Sequence, residues 1–132
     1  MLRIDTYFLL LAVASLIFGS CLGIYMGINE DFQLAPVHAH LNLVGWASLA
    51  LFGVIYRLYP ELIRSRFTRF HVWLAMPSAP LLPAGLYLAQ FHQSPLLAIV
   101  ASLLWLAGVL VFFMIIAELA FSRSSSAKEA GK

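Results

Sequence analysis

Four long apolar runs, broken by short polar or charged segments, account for nearly the whole chain: about Thr6 to Ile28, Pro36 to Tyr59, Phe70 to Phe91 and Pro95 to Phe121. Each is as long as the roughly 20 residues an α-helix needs to cross a hydrocarbon core of about 30 Å. The pattern predicts an all-α integral membrane four-helix bundle running up-down-up-down, one transmembrane domain over 1–132 with a Ser-rich disordered tail at 122–132. The first run exceeds the apolar core of a cleaved signal peptide and leads straight into another span, so it reads as a retained helix.

Punctuation within the runs refines this. Asp5 is placed to cap the first helix, Pro36 stands where a missing N–H costs nothing, and Pro60 closes the second helix. Glu61 to Arg69 alternates basic and apolar residues as an interfacial segment does. Pro77, Pro80 and Pro83 remove three backbone donors from the third helix and should bend or locally unwind it. Ser94 and Pro95 form a cap and first-turn pair for the fourth. Ser15, Gly19, Gly23 and Gly27 recur every four residues on the first helix, a small-residue ridge that lets another backbone approach closely in lipid. Its occupant is a helix of the same chain or of a second copy, and the ridge makes a homo-oligomer an expectation.

Composition agrees with lipid as solvent: 62% of residues are hydrophobic and 11% charged, with a mean hydropathy of +0.91. The basic residues fall at Arg3, at Arg57, Arg64, Arg66 and Arg69, and at Arg123, Lys128 and Lys132, all on one side of the expected topology. The positive-inside rule then puts both termini in the cytoplasm and the protein in the cell inner (cytoplasmic) membrane as a multi-pass protein. The net charge of +2 calls for no nucleic-acid partner. Cys21 lies inside the first helix and reads as a packed small residue.

Ionisable groups in or beside a membrane carry the functional signal, because hydrocarbon penalises them. His38 and His40 lie one turn into the second helix and His92 at the facing end of the third, whereas His71 lies some 30 Å away at 1.5 Å per residue. Neutral imidazole suits haem iron and transition metals. Positions 38 and 40 are about 200° apart on a helix, so both do not readily face one metal. One reading is a haem site; another is copper or zinc held by His38, His40 and His92, with Glu30, Asp31 or Met26 nearby, serving metal handling or respiratory enzyme assembly. A third makes the histidines interfacial anchors of a structural subunit, a reading that applies most directly to His71 beside Arg69 and Trp73. Glu118 is expected to pair with Arg57 or Arg69.

The stretch His38-Ala39-His40-Leu41-Asn42-Leu43-Val44-Gly45-Trp46, followed by Phe52-Gly53, Tyr56, Leu58 and Pro60-Glu61, resembles the second transmembrane helix of the haem-copper oxidase and nitric oxide reductase catalytic subunit. The run Phe70-His71-Val72-Trp73 likewise looks like a helix start in short oxidase subunit I-like proteins. The resemblance implies a low-spin haem b with His40 as axial ligand, His38 or His92 as a second ligand, and Asn42, Trp46 and His71 in the surroundings. It implies electron transport or diatomic gas (O2/NO) chemistry or sensing, as an oxidoreductase where there is turnover, with a respiratory-chain partner. The helices that would hold a binuclear centre have no counterpart here.

Overall fold

The computed structural model describes residues 3–130, with side chains described as far as Phe121. Four helices are long and apolar enough to cross a membrane, and no strand occurs among the described residues, which makes this an all-helical multi-pass membrane protein. Helix α1 spans Ile4–Asn29 and α2 spans Ala35–Leu58. A 3-10 turn, Pro60–Arg64, leads to α3, Arg66–His92, and α4 runs over Leu96–Ala130.

Local chemistry sets these bounds. Arg3, not Asp5, is the N-cap of α1, and Asp5 sits inside the first turn with no exposure at all. Helix α3 starts at Arg66, earlier than the alternating charges suggested, because the Ser65 hydroxyl accepts the Phe67 N–H at 3.3 Å and supplies a side-chain cap. Helix α4 continues to Ala130, past the point where a disordered tail was expected; no glycine or proline occurs between Phe121 and Ala130 to stop it. Gly131 and Lys132 lie outside the described residues.

The prolines of α3 do not interrupt it. Small residues on the same helix let α4 support it at backbone range: a Cβ on Gly85 would fall 2.5 Å from the Ala98 nitrogen, and one on Gly108 of α4 would fall 3.3 Å from the Ala75 nitrogen. The irregular backbone lies in α2 instead, where Leu41–Ser48 is π-helical between α-helical Ala35–His40 and Leu49–Leu58. Ser48 follows the wider winding, its hydroxyl donating to the Leu43 carbonyl five residues back at 2.8 Å.

The small-residue ridge of α1 is filled by α2 of the same chain. A Cβ on Gly19 would meet Asn42 at 2.7 Å, a Cβ on Gly23 would meet His38 at 2.8 Å, and a Cβ on Gly45 would meet Ser15 at 2.7 Å. Ser15, Gly19 and Gly23 are therefore spent on an intrachain contact, which corrects the expectation of a homo-oligomer through that face; Gly27 alone has open space. The buried centre gathers Phe8, Leu49, Phe52, Tyr56, Leu62 and Ile115. Outward positions such as Phe18, Leu43, Trp73 and Phe113 are exposed apolar side chains, as helices facing lipid require.

Candidate functional site

Three of the four histidines gather at the end of the bundle where the α1–α2 loop meets the end of α3, a junction fixed by the Gln90 amide donating to the Gln33 carbonyl at 2.6 Å. His38 turns toward α1. Its Nδ1–H donates to the Gly19 carbonyl at 2.9 Å and its ring rests where a Gly23 Cβ would be. The Asn42 amide covers it, donating to the His38 carbonyl at 2.9 Å with the same nitrogen 3.5 Å from Nε2. His38 and Asn42 thus form the polar clasp between α1 and α2, with little of the imidazole left for a ligand.

His40 makes the same kind of bond, but within its own helix and with no side chain on Nε2 among the described residues. Its Nδ1–H donates to the Pro36 carbonyl at 2.8 Å, which leaves Nε2 as the ring nitrogen available to a ligand, the orientation that carbonyls give metal-binding imidazoles. The ring is half-buried, and the π-helical stretch begins at the next residue; π-helical insertions often accompany functional sites. Between α1, α2 and α3 lies an apolar groove of about 550 Å³, in the range that small cofactors occupy. Phe18, Leu22, Val37, Leu41, Pro83 and Tyr87 line it. Val37 and Leu41 lie to either side of His40 in the chain, while His40 itself does not line the groove. Trp46 packs half-buried against the central cluster. His92, in the last turn of α3, is exposed and lies 5.9 Å from the Tyr87 ring.

Of the three, His40 is the one whose Nε2 has no hydrogen bond among the described residues and whose ring is not exposed. His38 is packed against α1, with its Nδ1–H on the Gly19 carbonyl and the Asn42 nitrogen 3.5 Å from Nε2. Among the described residues, no three His, Cys, Asp or Glu side chains come together as a metal site, so His38, His40 and His92 do not form a copper or zinc centre within one chain.

The fourth histidine overturns its reading as an interfacial anchor. His71 has no exposure; its neighbours Arg69 and Trp73 point outward while it points into the bundle. Its ring stacks on Phe8 at 5.4 Å and 17°, meets Phe52 edge-on at 4.7 Å and lies 5.0 Å from Phe112. A 2.8 Å hydrogen bond joins Nδ1 to the Tyr56 hydroxyl, and Nε2 is buried without a hydrogen-bond partner. Asp5, equally buried, takes a hydrogen bond from Arg3 Nε at 3.2 Å and has Arg57 Nε 3.3 Å from its other oxygen, at ion-pair distance but without hydrogen-bond alignment. Arg57 therefore pairs with Asp5 and not Glu118, whose carboxylate accepts from the Ser65 hydroxyl at 3.0 Å. The stripe Thr68, His71, Ala75, Ser78 and Ala79 on α3 was the sequence signal that His71 shares an inward, small-residue face.

Comparison of the chain with known proteins finds no family model that matches it, no curated protein and no solved structure.

Proposed function

We propose that this chain is a membrane-embedded haem b-binding protein of oxidase subunit I-like type, working in electron transfer or in diatomic gas chemistry or sensing. The observation that carries the proposal is His40, whose Nδ1–H is held by the Pro36 carbonyl so that Nε2 keeps its lone pair. An imidazole held through Nδ1, with the groove-lining Val37 and Leu41 near it in the chain, is the kind of donor that haem sites use. When bound, the haem supplies the redox couple or the gas ligand position, and the protein sets its potential through the axial ligand and burial. His38 and Asn42 position α2 against α1 and so fix where His40 stands.

With His38 turned to α1, a second imidazole for the haem would come from His92 or from a second copy of the chain. The charge asymmetry supports an up-down-up-down bundle in the cell inner membrane with both termini cytoplasmic, the haem near the outer face and a respiratory-chain partner exchanging electrons with it.

Optical spectra of the detergent-purified protein, oxidised and dithionite-reduced, with metal analysis, test this. A Soret band with sharp reduced α and β bands, abolished in His40→Ala and kept in His71→Phe, is the expected result. Stoichiometric copper or zinc without a Soret band would instead favour a metal site assembled between copies. A colourless, metal-free protein from haem-replete cells would leave a structural subunit.

A further inference from the structure

At the end of the bundle opposite His38, His40 and His92, a groove of about 540 Å³ runs between the start of α1, the 3-10 turn and the first two turns of α3. Arg64, Arg66 and Arg69 line it, and all three are exposed. The ion pairs at this end join Arg3 and Arg57 to Asp5; among the described residues, none of the three groove arginines has a carboxylate partner. The polar groups between them are already used. Ser65 donates to Glu118 and caps Phe67, and Thr68 donates to the Leu62 carbonyl at 2.6 Å, which holds the floor of the groove in place. Arg66 lies over the Phe67 ring, 5.0 Å from its centroid. The remaining walls are apolar, with Phe70 61% and Trp73 75% exposed on the side where α3 enters the membrane.

We propose that this groove seats an anionic membrane phospholipid, its phosphate held by the guanidinium groups of Arg64, Arg66 and Arg69 and its acyl chains lying along Phe70 and Trp73. Charge complementarity selects the headgroup: guanidinium is the side chain best matched to phosphate oxygens, and three lie in one groove with no carboxylate among them. Glu118 accepts from the Ser65 hydroxyl and Glu61 lies in the 3-10 turn, but neither lines the groove. The apolar walls select a ligand that carries chains, which a free phosphate lacks. Basic side chains beside a membrane surface attract anionic lipid generally; the groove adds a place for one molecule.

Native mass spectrometry of the full chain, released from micelles holding equal amounts of phosphatidylglycerol and phosphatidylcholine, tests the assignment. One phosphatidylglycerol per chain is expected, with phosphatidylcholine retained far less. Single variants Arg66→Gln and Arg69→Gln should each lower retention about fivefold, the triple variant with Arg64→Gln should abolish it, and inorganic phosphate should not displace the lipid. Arg57→Gln removes one charge at the same end from a side chain that does not line the groove, as each single variant does from one that lines it, and should leave retention unchanged. Equal retention of both lipids by the unaltered protein would overturn the proposal, and that measurement needs no variant to fold. So would an equal loss in Arg57→Gln, or displacement by phosphate alone.

Discussion

Replacing Tyr56 by Phe removes one oxygen from the centre of the bundle and leaves every ring in place. The Tyr56 hydroxyl is the hydrogen-bond partner of His71 Nδ1 at 2.8 Å, both side chains have no exposure, and His71 Nε2 already lacks a partner. The substitution therefore leaves an imidazole with both nitrogens unsatisfied, at a cost of about 1–3 kcal/mol for a buried polar group stripped of its partner. Side-chain hydrogen bonds inside membrane proteins have measured lower, about 0.6 kcal/mol on average and about 1.7 at most, so about 1–2 kcal/mol is the expected loss. His71→Phe alone leaves the Tyr56 hydroxyl with Thr68 as its remaining side-chain partner and should cost less. The double variant strands nothing and keeps an aromatic ring between Phe8 and Phe112, so it should approach the stability of the parent. Reversible unfolding in mixed micelles, followed by tryptophan fluorescence, gives the four free energies of the cycle, and a coupling of about 1 kcal/mol or more is expected. Additive effects, with the double variant as unstable as the sum of the singles, would refute the claim that these two groups satisfy each other.

Three further outcomes follow from contacts at named positions. Gly23→Ala drives a Cβ into the space of the His38 ring at 2.8 Å and should destabilise by about 1–3 kcal/mol, whereas Gly27→Ala meets nothing within 4 Å and should gain up to about 1 kcal/mol from helix propensity; the two melting shifts should have opposite signs. Ser65→Ala loses the cap on α3 and the tie to Glu118, for a loss of about 0.5–2 kcal/mol, with amide exchange accelerating first in the turn after Arg66. Arg57→Gln leaves the buried Asp5 with Arg3 alone; because the Arg57 side chain is 61% exposed, the loss should fall below that of a fully buried pair, about 1–3 kcal/mol, read by the same unfolding assay.

The four spans were legible because unbroken apolar runs of membrane length have few other solutions. The small-residue ridge was legible as a contact face too, but not its occupant: glycines every fourth residue permit close approach without saying whose backbone approaches. His71 was misread from its linear neighbours. Arg69 and Trp73, two positions away on either side, lie on the opposite helix face, and what decides the fate of a helical residue is the company three and four positions distant. Asp5 looked like a cap because it stands near a helix start; its burial depends on Arg57, which folding alone brings to it. At the histidine end, spacing separated His38 from His40 correctly, yet both give Nδ1–H to a backbone carbonyl, and what sets them apart is the Asn42 amide that folding lays beside Nε2 of His38.

The π-helical stretch Leu41–Ser48 lies between His40 and the pair Phe52 and Tyr56, so it acts as a slip joint in α2. A winding that closes each hydrogen bond one residue later stores surplus chain without adding length at the ends. Removing a residue there can be met by a return to ordinary α-helical winding, with the half that clasps α1 through His38 and the half that cages His71 each keeping its phase. A deletion in either flanking half has no such reserve and turns one set of contacts away from its neighbour. The two ends of this helix can thus be re-tuned independently, although they belong to one continuous span.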